Sequence, residues 1–191
     1  MKIISEQASL EAIKTYQEVS ITFSADMILE FEAIDSGLKG FKAIEKKVTP
    51  FTKNYDDYGL LTDSLKEFDI SNWQLLTILD DDQIVGGALL AFQTTNVNML
   101  GGRDDLVVVW DIRINEAYRH KGLGTALFDE IKSFAREIKA TEINIETQNN
   151  NIKACKFYAS QGAVIKSLKQ EAYKDLPEET QIIWSIKLGG K

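Results

Sequence analysis

The run Leu106-Val107-Val108-Val109-Trp110-Asp111-Ile112-Arg113-Ile114 constrains this chain more than any other stretch. It reads as a buried strand. A helical pattern follows, with Leu123, Leu127, Ile131, Phe134 and Ile138 at spacings of three and four, so that they share one face. Thr141 to Thr147 then reads as a second strand. Strand, helix and strand at this length imply a right-handed parallel crossover.

Between the first strand and the helix lies Arg119-His120-Lys121-Gly122-Leu123-Gly124-Thr125. First-turn amides of a helix lack internal partners, and the aligned peptide dipoles place partial positive charge there. Such a terminus suits phosphate oxygens. Gly122 and Gly124 let a ligand approach the backbone with no Cβ in the way, and Arg119, His120 and Lys121 add charge. The turn is not a P-loop, because Gly124 is followed by Thr125-Ala126 and not by Lys-Ser/Thr. It is not a dinucleotide fingerprint, which needs glycine where His120 stands.

Alternation along the first strand puts Leu106, Val108, Trp110, Ile112 and Ile114 on one face, and Val107, Val109, Asp111 and Arg113 on the other. A charged Asp111 in such a strand is either paired, with Arg113 as the nearest candidate, or faces a cleft. In the second strand Ile143 and Ile145 face one way, and Glu142, Asn144 and Glu146 the other. Asn151 is a strong helix cap for the segment through Tyr158, and Gly162 ends it. Ala163–Tyr173 and Thr180–Leu188 read as a closing antiparallel pair.

Earlier in the chain, Ser9 caps a helix to Tyr16. Residues 18–31 read as a strand or a second helix. Phe41 to Lys53 reads as a strand interrupted at Thr49-Pro50, since proline cannot donate to a ladder. Tyr55-Asp56-Asp57-Tyr58 sets two carboxylates between two phenols, a cluster able to bind an ammonium group through charge and ring faces, or a solvated turn. Trp73–Leu79 and Ile84–Phe92 form a hairpin across Asp80-Asp81-Asp82-Gln83.

The 191 residues, 44% of them hydrophobic, suit one domain with a sizeable core. No apolar run is long enough to span a bilayer, and Met1 to Glu6 lacks the layout of a signal peptide. A cytoplasmic location is expected, with no membrane role. A single His120 and a single Cys155 disfavour a His/Cys metal site. The net charge of −7 disfavours nucleic acid and favours a cationic substrate.

Arg119-x-x-Gly122-x-Gly124, between an apolar strand and an amphipathic helix, resembles the pyrophosphate signature of the GCN5-related N-acetyltransferase (GNAT) superfamily. The resemblance covers residues 73–188. It implies an α/β fold with a mixed central sheet of six to seven strands, helices on both faces and a splay between the two central parallel strands. It implies acetyl-CoA as co-substrate, no metal, and an amine acceptor. Ile112, Arg113 and Ile114 then pair with the pantetheine amides, and residues 119–125 with Asn151 complete the donor site. Tyr158 protonates the departing thiolate; a phenol of pKa ~10 is a usable donor to a thiolate whose thiol has pKa ~8.5. Glu146 is the first candidate for the base that neutralises the amine, and Asp111 the second. The acceptor's charge would be met by Asp111, Glu146, Tyr55, Asp56 and Asp57, with residues 1–70 building that side. A homodimer is the default expectation.

Two segments are similar to streptothricin acetyltransferases. One is Glu146-Thr147-Gln148-x-Asn150-Asn151-x-x-Ala154-Cys155-x-x-Tyr158-Ala159, written on this chain's residues, and the other is Thr49-Pro50-Phe51-Thr52-Lys53-Asn54-Tyr55. They imply acetylation of the β-lysine amine of streptothricin, with antibiotic resistance as the outcome. A polyamine or protein/peptide N-acetyltransferase on the same fold is the rival enzyme. A non-catalytic acyl-CoA sensor is the rival of another class. Lys153, Ala163 and the acidic placement at Trp110-Asp111 depart from the subfamily pattern.

Overall fold

The computed structural model describes residues 1–189. In chain order the elements are β1 (Lys2–Gln7), α1 (Leu10–Tyr16), β2 (Phe23–Ala33), β3 (Phe41–Lys53), α2 (Leu61–Ser64), β4 (Gln74–Asp80), β5 (Gln83–Ala91), β6 (Leu106–Ile114), α3 (Leu123–Glu137), β7 (Glu142–Gln148), α4 (Ile152–Ser160), β8 (Val164–Lys169) and β9 (Gln181–Lys187). Seven strands form one sheet in the order β1-β4-β5-β6-β7-β9-β8, and β2 pairs with β3 separately. β1/β4, β4/β5 and β5/β6 are antiparallel, whereas β6/β7 is parallel. A parallel pair needs a long crossover, and α3 supplies it. This is the mixed α/β sheet expected from the sequence.

By their contacts the residues fall into two compact units. The first comprises Met1–Ile21, Asn54–Ile145 and residues 185–189; the second comprises Thr22–Lys53 and Glu146–Trp184. β7 and β9 each run from one unit into the other.

The first unit is built on β4, β5 and β6. Ile13 and Tyr16 of α1 pack with Leu65, Trp73, Leu75, Leu89, Leu100 and Val108, all essentially buried. Phe68, Trp73 and Trp110 close this cluster with ring centroids 5.1–6.0 Å apart. The buried Trp73 indole N–H would be costly without an acceptor, and it donates to Thr94 Oγ1 at 2.8 Å. Gly87 is required by close approach. A Cβ there would lie 2.2 Å from the Leu76 carbonyl oxygen and 2.9 Å from the Tyr16 ring. The stripe on α3 centres on Leu127, Ile131 and Ala135, with Phe128 beside it, while Leu123, Phe134 and Ile138 flank it half-buried.

At the other end of the unit's strands, Glu142 is buried and accepts from Ser185 Oγ at 2.7 Å, from Lys187 Nζ at 2.7 Å and from Arg103. A carboxylate taken out of water needs such partners.

In the second unit β2 and β3 form a two-stranded antiparallel ribbon from Phe23↔Lys53 to Ala33↔Phe41. The ladder steps from Ala25↔Phe51 to Met27↔Lys47, so β3 passes Pro50 by leaving residues 48–50 out of the pairing. The interruption expected at Thr49-Pro50 is a gap in the ladder within a continuous strand. Residues 18–31, open between strand and helix, are strand from Phe23. Asn149 ties the ribbon to the segment before β9. Its Nδ2 donates to the Leu29 carbonyl and its Oδ1 accepts from Thr180 N–H, both at 2.9 Å.

Candidate active site

In the first unit the candidate residues are arranged around a bulge. Leu89 pairs with Asp111 and Leu90 with Val109, so Trp110 is the extra residue in β6. A bulge bends its strand and strengthens its twist. The parallel ladder to β7 runs from Leu106↔Glu142 to Val109↔Ile145. Among the described residues it ends there, one residue before the bulge. Beyond it Asp111–Ile114 still pair with β5 on one edge. Among the described residues no strand is paired with the other edge of β6 over Ile112, Arg113 and Ile114, the residues expected to meet pantetheine.

The chain leaves β6 through a short 3-10 turn, Glu116–Tyr118, capped by Asn115 Oδ1 accepting from Ala117 N–H at 3.0 Å. Arg119 reaches back, and its Nε donates to the Ile114 carbonyl at 2.8 Å. His120 and Gly122 both take left-handed backbone angles, φ 61° and 81°. Gly122 is the residue before α3, and no side chain caps the helix there. A Cβ on Gly122 would meet nothing within 4 Å. The glycine is therefore set by its dihedral and leaves open space over the helix terminus. His120, Lys121 and Gly122 are exposed, and Lys121 Nζ lies 5.0 Å from the centre of the Tyr118 ring. An uncapped helix start, open above and bordered by cationic side chains, fits a diphosphate.

Asp111 is paired, and with Arg113. Arg113 Nε and Nη2 donate to Asp111 Oδ1 and Oδ2 at 2.9 and 3.1 Å. The same guanidinium meets Asp56 bidentately, and its Nη1 also donates to the Gln17 and Val19 carbonyls. Tyr16 Oη donates to Asp111 Oδ1 at 2.6 Å. Arg113 is 3% exposed, so this is an enclosed network that satisfies its donors. The Tyr55–Tyr58 segment is a 3-10 turn in which Asn54 Oδ1 accepts from Asp56 N–H at 3.2 Å. Asp56 thus faces Arg113, whereas Asp57 is exposed and accepts from Asn54 Nδ2 at 2.9 Å. The sequence offers Arg113 as a partner for Asp111, but it gives no sign that the same guanidinium reaches Asp56 or that Tyr16 joins them. The Asp111-x-Arg113 spacing on one strand face was the available signal.

In the second unit the candidate residues lie where β7 passes into α4. Glu146 follows directly on Ile145, the last β7 residue paired with β6. Its Oε1 accepts from Tyr173 Oη at 2.7 Å and its Oε2 from Gln181 Nε2 at 2.9 Å. Asn151 caps α4, accepting from Ala154 N–H at 3.2 Å. Tyr158 is buried, with its ring centroid 5.5 Å from Phe157 and 6.4 Å from Trp184. Cys155 is buried one turn earlier; burial pushes its thiol up to about 11, against a weaker opposing hydrogen bond with Thr147. A thiol held so far from ionisation is a packed side chain and not a nucleophile.

The two subfamily segments meet in this unit through one residue. Glu179 pairs with Lys53 and accepts from Asn150 Nδ2 at 2.8 Å. Burial lowers the pKa of Lys53, against the charge of Glu178. Among the described residues no cluster of three or more His, Cys, Asp or Glu side chains could hold a metal ion. Among the described residues no helix is long and apolar enough to cross a membrane.

The model of the acetyltransferase (GNAT) family matches residues 41–163, well over half of the chain. The chain belongs to this family. It is 35% identical over 82 residues to streptothricin acetyltransferase A of Bacillus subtilis (strain 168), a match covering 42% of this chain and 47% of that protein. The chain thus matches about half the length of that relative. It is 25% identical over 149 residues to streptothricin acetyltransferase of Escherichia coli, covering 76% of each. Among solved structures, a proposed streptothricin acetyltransferase of Bacillus anthracis str. Ames in complex with acetyl coenzyme A superposes with a TM-score of 0.75 at 24% identity, over 98% of this chain and 100% of that one. Nourseothricin acetyltransferase superposes with a TM-score of 0.74 at 20% identity, over 99% and 100%. At these identities the two structures speak for the fold.

Proposed function

We propose that this GNAT-family chain is an acetyl-CoA-dependent N-acetyltransferase whose acceptor is a small cationic amine, the β-lysine amine of streptothricin. The observation that carries the reading is the early end of the β6–β7 ladder beside an uncapped α3 terminus. Buried or ligand-facing backbone groups need partners, and a chain of amides ending in a diphosphate supplies them. Residues 112–114 would hold the pantetheine arm, and Arg119 to Thr125 the diphosphate. When bound, acetyl-CoA supplies the acetyl thioester.

The chain's own residues then manage protons. The acceptor must lose a proton before its nitrogen can form the new C–N bond, and Glu146 takes it, directly or through one water. Tyr158 gives a proton to the sulfur as the C–S bond breaks, and the nitrogen sheds its second proton as the amide forms, which restores the phenol through solvent. Glu146 is preferred to Asp111 on a geometric ground. Asp111 would have to loosen a bidentate guanidinium pair to accept a proton, whereas Glu146 holds only hydrogen bonds from neutral groups. Asp57, Tyr55 and Glu146 would meet the acceptor's charge, while Asp56 and Asp111 hold Arg113.

Streptothricin as acceptor is supported by the names of both curated relatives, by the two sequence segments that Glu179 joins, and by the net charge of −7. Its acetylation would confer resistance, with the enzyme acting in the cytoplasm. A thiol-release assay with acetyl-CoA and streptothricin tests this, with Arg119→Ala and Gly122→Ala as controls. One thiol released per acetylated streptothricin is expected. Turnover of polyamine or peptide amines alone would replace the acceptor. Binding of acetyl-CoA with transfer to no amine would make the chain a sensor.

A further inference from the structure

Glu146 sits at the end of a directed hydrogen-bond chain. Gln148 Nε2 donates to Tyr173 Oη at 2.9 Å, and Tyr173 Oη donates to Glu146 Oε1 at 2.7 Å. Gln181 Nε2 donates to Glu146 Oε2 at 2.9 Å. The Gln148 donor occupies an acceptor site of the phenol, which leaves the phenolic proton for Glu146. Each carboxylate oxygen therefore receives one fixed donor from outside β7. Among the described residues no ion pair reaches this carboxylate. An ionised carboxylate has about four acceptor positions, so two donors fix its plane and leave room for an incoming proton. All four residues lie in the second unit, on β7, on β9 and in the connection between β8 and β9.

We propose that Tyr173 is a positioning residue for the acetyl transfer, aided by Gln181. It holds the Glu146 carboxylate in one orientation toward the acceptor amine and acts on the reaction only through Glu146. This rests on the reading of Glu146 as the base. Three features point to positioning rather than to simple packing. Tyr173 is half-buried and meets the carboxylate with its hydroxyl. Its proton is directed by a second side chain. The other carboxylate oxygen is held from a different strand. A base held within hydrogen-bond reach in one orientation loses rate when it is free to rotate.

The test compares Tyr173→Phe, Gln181→Met, Glu146→Gln and the double variant Tyr173→Phe/Glu146→Gln. Tyr173→Phe keeps the ring and removes only the hydroxyl. The expected result is a roughly tenfold or greater loss of kcat in Tyr173→Phe, a smaller loss in Gln181→Met, and little change in the KM for acetyl-CoA. Calorimetric affinity for acetyl-CoA should match the wild type in both. In the Glu146→Gln background Tyr173→Phe should cost nothing further, because a residue that acts through Glu146 has nothing left to position. Independent, multiplicative losses in the double variant would overturn the proposal and leave the Glu146 assignment standing. So would a silent Tyr173→Phe beside an impaired Glu146→Gln. Full kcat in Glu146→Gln would overturn both.

Discussion

Arg113 grips Asp56 with both terminal nitrogens, Nη1 to Oδ2 at 2.8 Å and Nη2 to Oδ1 at 2.9 Å. The same guanidinium holds Asp111 on its own strand, so one buried cation links β6 to the turn at 55–58. Removing the cation strands two carboxylates, while removing Asp56 leaves Arg113 with Asp111. Arg113→Met should therefore lose about 3–5 kcal/mol of stability, and Asp56→Asn about 1–3 kcal/mol. Urea unfolding measures both, and the reverse ranking would contradict the network.

Gly122 holds a φ of 81° in open space. Gly122→Ala should fold, at a cost of about 1–2 kcal/mol for an L-residue in the left-handed region. The larger effect should be on acetyl-CoA, whose phosphates would meet the new methyl group. A loss of about tenfold in affinity, ~1.4 kcal/mol, is expected by calorimetry. Wild-type affinity would remove this turn from the donor site.

Tyr158→Phe keeps the contacts with Phe157 and Trp184 and deletes only the phenol oxygen. If that oxygen protonates the leaving sulfur, kcat should fall by roughly 10²–10⁴ while acetyl-CoA binding stays unchanged. Steady-state kinetics and calorimetry on one preparation separate the two.

Cys155 should behave as an inert core thiol. With the thiol raised to about 11, the thiolate is scarce at pH 8, and burial blocks access to what exists. A disulfide reagent at pH 8 should modify the native protein slowly and the denaturant-unfolded protein at once. Modification of the native thiol should speed up as pH rises toward that value. Fast reaction at pH 8 with activity loss would point to an exposed, functional sulfur.

Much of the fold follows from local rules. The spans of β6 and α3, the Ser9 and Asn151 caps and the hairpin between β4 and β5 are each set by residues within a few positions of one another. Other elements were illegible for a physical reason. β1 is an edge strand whose Ile3 and Ile4 sit side by side without alternation, and only pairing with β4 makes it a strand. Glu142 read as the polar face of β7. It is buried because Arg103, Ser185 and Lys187, 39, 43 and 45 residues away, converge on it.

The sequence by itself determined the strand–turn–helix around Gly122, which carries the family resemblance, because backbone dihedrals, caps and apolar periodicity act over a few residues. Only the tertiary structure decided that Asp111 and Asp56 share Arg113, that Tyr173 and Gln181 hold Glu146, and that the bulge at Trp110 falls where the β6–β7 ladder stops. Those outcomes depend on which distant side chains share a buried, low-dielectric space, where each charge must find its partner.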